Sequence, residues 1–171
     1  MVAPLGKSLG GSSVGSSADS SADSSGDSLG GTVGGFARVT ESLLVVDEHI
    51  DAVSGAAHGA VVTFIGQVRD HDPDAAGRVT GLDYSAHPDA ERIIGEIAHQ
   101  VRKQHPLAVL SVSHRIGHLE VGDLALVAAV ASAHRGDAFA ACEALVEAVK
   151  LGVPIWKKQY EVDGTHSWVG L

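Results

Sequence analysis

Apolar and polar positions along this chain repeat with two different periods, and the switches between them mark out its elements. Residues 36–40, Phe-Ala-Arg-Val-Thr, alternate at period two and predict a short strand. Ser42 is placed to cap a helix carrying Val46, Ile50 and Val53 on one face and ending at Gly55. Residues 60–65 form a dense β-type run stopped by Gly66, and residues 79–84 alternate again as a strand. Between them, residues 70–77 carry turn formers and predict a loop. Pro88 predicts the opening turn of a helix whose apolar stripe is Ile93, Ile94, Ile97 and Val101. Residues 107–116 read as a strand followed by a turn at Gly117. Residues 124–131 are almost continuously apolar, the pattern of a strand buried on both faces. Asp137 is a candidate N-cap for a helix over 138–150, with Phe139, Leu145 and Val149 facing the core. Residues 155–162 predict a last strand, and Trp168 lies beyond it. Strands and helices mix without strict alternation, which predicts an α+β fold in a single domain over residues 36–171.

Composition changes that picture at the N-terminus. Residues 1–35 are dominated by Gly, Ser and Asp. Such a segment buries too little apolar surface to offset its chain entropy, so it predicts a disordered, flexible tail. Elsewhere the 44% apolar content supplies a core. A net charge of -9 and aromatics at 4% argue against a nucleic-acid binder, which needs a basic face and stacking platforms. The single cysteine, Cys142, excludes an internal disulfide framework and sits in an apolar pattern as a small core residue. No run approaches the roughly 18 apolar residues of a membrane span, and no secretory leader is evident, so the expected location is cytoplasmic.

Positive charge is scarce and unevenly placed. The chain has five lysines, three of them between 150 and 158. Lys150 ends a helical pattern, and Lys157 follows a Gly152/Pro154 turn beside Trp156. Taken alone, this is either a solvated helix end favouring the helix dipole or a pocket for an anionic small molecule. Arg69 follows the 60–65 strand, and His134-Arg135 precede the 138–150 helix, where a helix N-terminus favours anions. If these groups converge, they suit phosphate, carboxylate or an anionic intermediate. Metal spacings are weak: His114 and His118 are four apart across Gly117, and residues 70–74 lack the glycine and distal glutamate of a calcium loop. No Walker loop, dinucleotide fingerprint or nucleophile elbow is present.

Four motifs occur in order: Phe64-Ile-Gly-Gln-Val-Arg69-Asp-His71, His114-Arg115-Ile-Gly117, Ser132-Ala-His134-Arg135, and Lys150 followed by Pro154-Ile-Trp156-Lys157-Lys158. Together they resemble the catalytic (large) subunit family of molybdopterin synthase, from about residue 45 to 168. The resemblance implies an α/β hammerhead-type fold and a homodimer. Each large subunit would bind a small ubiquitin-like sulfur carrier, giving a heterotetramer. Sulfur would pass from the carrier's C-terminal thiocarboxylate to cyclic pyranopterin monophosphate, with no cofactor needed for the step. It further implies that Lys150 is the central catalytic residue and that Lys157 assists. Arg69, Phe64, Lys150 and Lys157 would bind substrate, joined by His134 and Arg135 from the neighbouring protomer. A non-catalytic module docking a ubiquitin-like partner is the alternative, and a stand-alone anion-binding dimer a third reading. Two features depart from the family pattern: the Gly/Ser/Asp-rich N-terminal segment, and a C-terminal end with no arginine after Trp168.

Overall fold

The computed structural model describes residues 34–71 and 77–170, without the side chains of 166–170. The predicted tail therefore lies almost wholly outside the described residues, as do most of the 70–77 loop and the side chain of Trp168. Residues 33–171 form one compact unit. Its described elements run β1 (Ala37–Thr40), α1 (Val46–Val53), β2 (Ala60–Gln67), β3 (Val79–Ala86), α2 (Ala90–Gln104), β4 (Val109–Arg115), β5 (Gly117–Glu120), β6 (Leu124–Ser132), α3 (Arg135–Gly152), β7 (Ile155–Glu161) and β8 (His166–Gly170). The α+β expectation holds. No helix among the described residues is long and apolar enough to cross a membrane.

Two four-stranded sheets carry the fold. The first has the order β1-β4-β6-β2, with β1 parallel to β4 and the other pairs antiparallel. The second, β5-β3-β7-β8, is antiparallel throughout. The apolar run at 124–131 becomes β6, an inner strand buried on both faces as its composition predicts. Leu126, Ala128 and Val130 face the main core with α2 and α3, while Ala129 and Ala131 pack with Val53 of α1. A smaller cluster of Val68, Val79, Leu82, Leu119 and Ala125 joins the second sheet to the start of β6. Tyr84 packs against both clusters.

Several sequence expectations are corrected. Ser42 does not cap α1: the helix starts at Val46 behind an extended Val45, and the Ser42 amide bonds Thr40 Oγ1 instead. The intervening residues first bury Leu44. Pro88 precedes α2 rather than opening it, because the Ala90 amide closes a turn onto the His87 carbonyl. Asp137 lies in the first turn of α3, whose N-cap position is His134. Phe139 is 63% exposed, since the buried positions 138, 141, 142, 145, 146 and 149 make a stripe that skips it. Leu145 and Val149 are buried as expected. At Gly117 the chain does not simply turn: with φ +86 it leaves the first sheet and starts β5 in the second. β8 was not foreseen.

Candidate active site

Antiparallel packing of α3 against β6 decides which basic groups share an end of the molecule. β6 runs from Leu124 to Ser132 and α3 returns from Arg135 to Gly152, so Lys150 comes back to the Leu124 end. Gln67 pairs with Leu124 and His114 with Leu126, which brings the ends of β2 and β4 there too. Arg69 follows at once, its backbone held by Val68, which donates to Asp123 O at 3.0 Å and accepts from the Gly122 amide at 2.8 Å.

Register then sets the lysines. Tyr84 of β3 lies directly across from Lys157 of β7, so both side chains leave the same face of the second sheet. That is the inner face, shared with buried Ile155 and Gln159. The Pro154 carbonyl accepts the His87 amide at 3.0 Å and pins the start of β7 to the end of β3. Lys150 and Lys157 therefore stand on either side of one fixed turn. Lys158 pairs with Asp83 and points to the opposite face. Of the three lysines that look like one cluster in the sequence, the two in β7 are thus split between opposite faces of the sheet, and Lys150 lies on α3.

Behind the lysines sits His114, 5% exposed and absent from the substrate-binding set predicted from sequence. Its Nδ1 lies 2.9 Å from the Arg115 carbonyl, so Nδ1 carries the proton. Tyr84 meets the imidazole edge-on, ring centroids 5.1 Å apart. Burial pushes the His114 pKa below the usual histidine range, and the nearby Lys150 charge lowers it further against that hydrogen bond. Arg115 is committed to structure, with Nη1 3.1 Å from Asp123 Oδ2 and Nη2 bonding His118 O at 3.3 Å.

Phe64 lies on β2 opposite Ala128. A Cβ at Gly66 would meet the Phe64 ring at 3.4 Å and Leu126 Cβ at 3.3 Å, so the glycine lets the ring lie along the strand toward the Arg69 end. His134 and Arg135 are the pair that one chain does not bring in. Lys150 lies fifteen residue steps along α3 from Arg135, a rise of about 22 Å, and both members of the pair are exposed at the far end of α3.

The remaining sequence candidates resolve differently. Cys142 is buried and its thiol pKa is pushed up by burial, which makes it a poor nucleophile. His118 lies on the outer face of the second sheet, with Nδ1 2.7 Å from Asp83 Oδ1, so it does not pair with His114. Tyr160 donates to the other Asp83 oxygen and Lys158 Nζ lies 5.1 Å from the Tyr160 ring centroid. These partners, Tyr160 foremost, hold the Asp83 carboxyl below the usual carboxylate range. Among the described residues no group of His, Cys, Asp and Glu is arranged to hold a metal ion. Two surface hollows lie elsewhere, one of about 530 Å³ between α2 and α3 and one of about 650 Å³ beside Tyr160 and Glu161. Neither is lined by a lysine.

The family described as MoaE protein matches residues 39–151, about two thirds of the chain. The molybdopterin synthase catalytic subunit 1 of Mycobacterium tuberculosis is 39% identical over 136 residues, spanning 79% of this chain and 90% of that protein. A solved molybdopterin synthase from Staphylococcus aureus superposes with TM-score 0.73 at 32% identity, covering 79% of this chain and 97% of that one. This bears out the expected hammerhead-type architecture. A complex of subunits 1 and 2 of the molybdopterin-converting factor from Helicobacter pylori shares the fold at TM-score 0.52 and 20% identity, covering 67% of this chain and 72% of that one. On these matches the chain belongs to the MoaE protein family, the catalytic subunits of molybdopterin synthase.

Proposed function

We propose that Lys150 and Lys157 carry the sulfur-transfer step by which cyclic pyranopterin monophosphate becomes molybdopterin. The observation that carries this is the placement of both lysines about one fixed turn, with Arg69 at the same end of the first sheet. The sulfur donor is the C-terminal thiocarboxylate of a small ubiquitin-like subunit. That tail is an anion, and a lysine-lined site on a protein of net charge -9 attracts it locally. Lys150 contacts the carrier's terminal carbonyl and donates a proton to the intermediates. Lys157 stabilises developing negative charge and positions the pterin. Arg69 and Phe64 complete the substrate wall from β2, the arginine toward the cyclic phosphate.

His134 and Arg135 join the site from a second copy of the chain. The rise of about 22 Å along α3 supports this, because one chain cannot deliver both ends of that helix to one substrate. The working assembly is a homodimer with a carrier on each protomer, acting in the cytoplasm.

Single-turnover conversion of cyclic pyranopterin monophosphate, with thiocarboxylated carrier and wild type beside Lys150→Ala, tests this reading. Dithiolene formed by wild type and lost in the variant is expected. Wild type that binds the carrier yet makes no product would instead point to a docking module.

A further inference from the structure

Tyr84 has no part in the sulfur-transfer reading above, yet its ring stands between the two sheets and the second lysine. On β3 it pairs with Lys157 of β7 on one side and with Gly117 of β5 on the other. Gly117 has no side chain, so the side chain directly across from the ring is that of Lys157. Opposed residues of an antiparallel pair hold their Cβ atoms about 4.5–5.5 Å apart, within packing reach of an aromatic ring and a lysine stem. The ring itself has little freedom. It meets His114 of β4 edge-on, with centroids 5.1 Å apart and planes at 82°, and it packs against both the main core and the smaller cluster. His114 is in turn buried and tied through Nδ1 to the Arg115 carbonyl at 2.9 Å. Along β7, Lys157 is flanked on its own face by Ile155 and Gln159, both almost fully buried. The lysine stem therefore leaves a packed face, with the Tyr84 ring as its neighbour across the strands.

We propose that Tyr84 is a positioning residue for Lys157: its ring backs the lysine stem and sets where the ammonium stands against the substrate. This rests on the assignment of Lys157 above and deepens it. A lysine carries its charge on a flexible four-carbon stem, and rotamers that point the amine elsewhere are lost to the reaction. A ring held in place by the other sheet removes such rotamers by packing alone. It brings no carboxylate to neutralise the ammonium, so the charge stays available to the anionic intermediate. His114 belongs to the first sheet and Lys157 to the second, with Tyr84 in contact with one and opposite the other. The position of the amine is thus tied to the packing of the two sheets. Placement matters at this scale, because a shift of about 1 Å at a reacting group can cost on the order of 100-fold in rate.

Two measurements on the full-length chain test this. In the first, single-turnover rates are compared for wild type, Tyr84→Leu, Tyr84→Phe, Lys157→Ala and the double variant Tyr84→Leu/Lys157→Ala. Tyr84→Leu keeps apolar volume against the two clusters but removes the flat ring. It should lose on the order of 10-fold in rate, and Tyr84→Phe, which keeps the ring, should recover most of that loss. In the Lys157→Ala background the leucine should cost nothing further, because a residue that acts through the lysine has nothing left to position. Tyr84→Leu at wild-type rate overturns the proposal. So does an equal loss from Tyr84→Leu in both backgrounds, as a purely structural role would give, or a Tyr84→Phe variant as slow as Tyr84→Leu. Lys157→Ala at full rate would sink the underlying assignment instead. In the second measurement, the chain is labelled with 13C-lysine, which marks only five residues. The Lys157 signals are identified by their absence from Lys157→Ala. An aromatic ring against the stem shifts its methylene protons upfield, so the Lys157 methylenes should stand upfield in wild type and Tyr84→Phe and return toward free lysine in Tyr84→Leu. Methylene shifts that are the same in wild type and Tyr84→Leu overturn the proposal without reference to activity.

Discussion

Adjacent lysines in β7 have different fates because a strand turns alternate side chains to opposite faces. Lys157→Ala should therefore lower the sulfur-transfer rate by about 10²-fold, the usual loss for removing one electrostatic donor. Lys158→Ala should stay within a few-fold of wild type; single-turnover rates of the two variants side by side decide it. The buried histidines give a second prediction. His49 is fully buried, with Nδ1 2.7 Å from the Val45 carbonyl and Nε2 2.8 Å from Ser113 Oγ, and burial lowers its pKa as it does that of His114. Below about pH 6.5 the unfolded chain takes protons that the folded chain refuses. Stability from these histidines is thus complete above that pH and drains as it falls. The urea midpoint should drop between pH 7 and 5, before the carboxylates titrate, and drop less in His49→Gln. The sequence made Lys150 and Lys157 candidates through the motifs that resemble one family, since their spacing around a Gly/Pro turn fits a solvated helix end as well. It gave no comparable signal for Tyr84, whose importance comes from a cross-strand neighbour 73 positions away.

Helix α3 shows how far periodicity carries. Leu145 and Val149 were read correctly because they sit on the 3–4 spacing of the buried stripe. Phe139 was read inward on its hydrophobicity, yet it lies one position past Ala138 and faces solvent. Leu145→Ala should cost about 2–5 kcal/mol, whereas Phe139→Ser should change stability by no more than about 0.5 kcal/mol. Denaturant midpoints would show this; equal losses would mean that another surface covers Phe139. The capping residues were misplaced for a related reason. Ser42, Pro88 and Asp137 are all good helix starters by type, but the backbone first has to close a turn or bury Leu44, and this moves each boundary.

For the whole molecule, the decisive dimension is the length of α3. If Lys150 and Arg135 meet only across two copies, inactive variants should complement one another. Mixing Lys150→Ala with Arg135→Ala chains, after dissociation and reassociation, makes half of the dimers mixed, each with one intact site. About a quarter of wild-type activity should return. No recovery in demonstrably mixed dimers would place both residues' roles within one chain and remove the argument for a shared site.

The sequence by itself determined the types of the described elements other than β5 and β8, the double burial of β6 and the four motifs that resemble one family. These depend on local periodicity and on residue chemistry in order along the chain. Tertiary structure decided which of those residues meet. Antiparallel return of α3 along β6 carries Lys150 to Arg69's end and His134 away from it. The β3–β7 register puts Lys157 with Tyr84 on the inner face and Lys158 outside. Pairing register and helix direction are long-range choices fixed by burial of a shared core, so no local pattern spells them out.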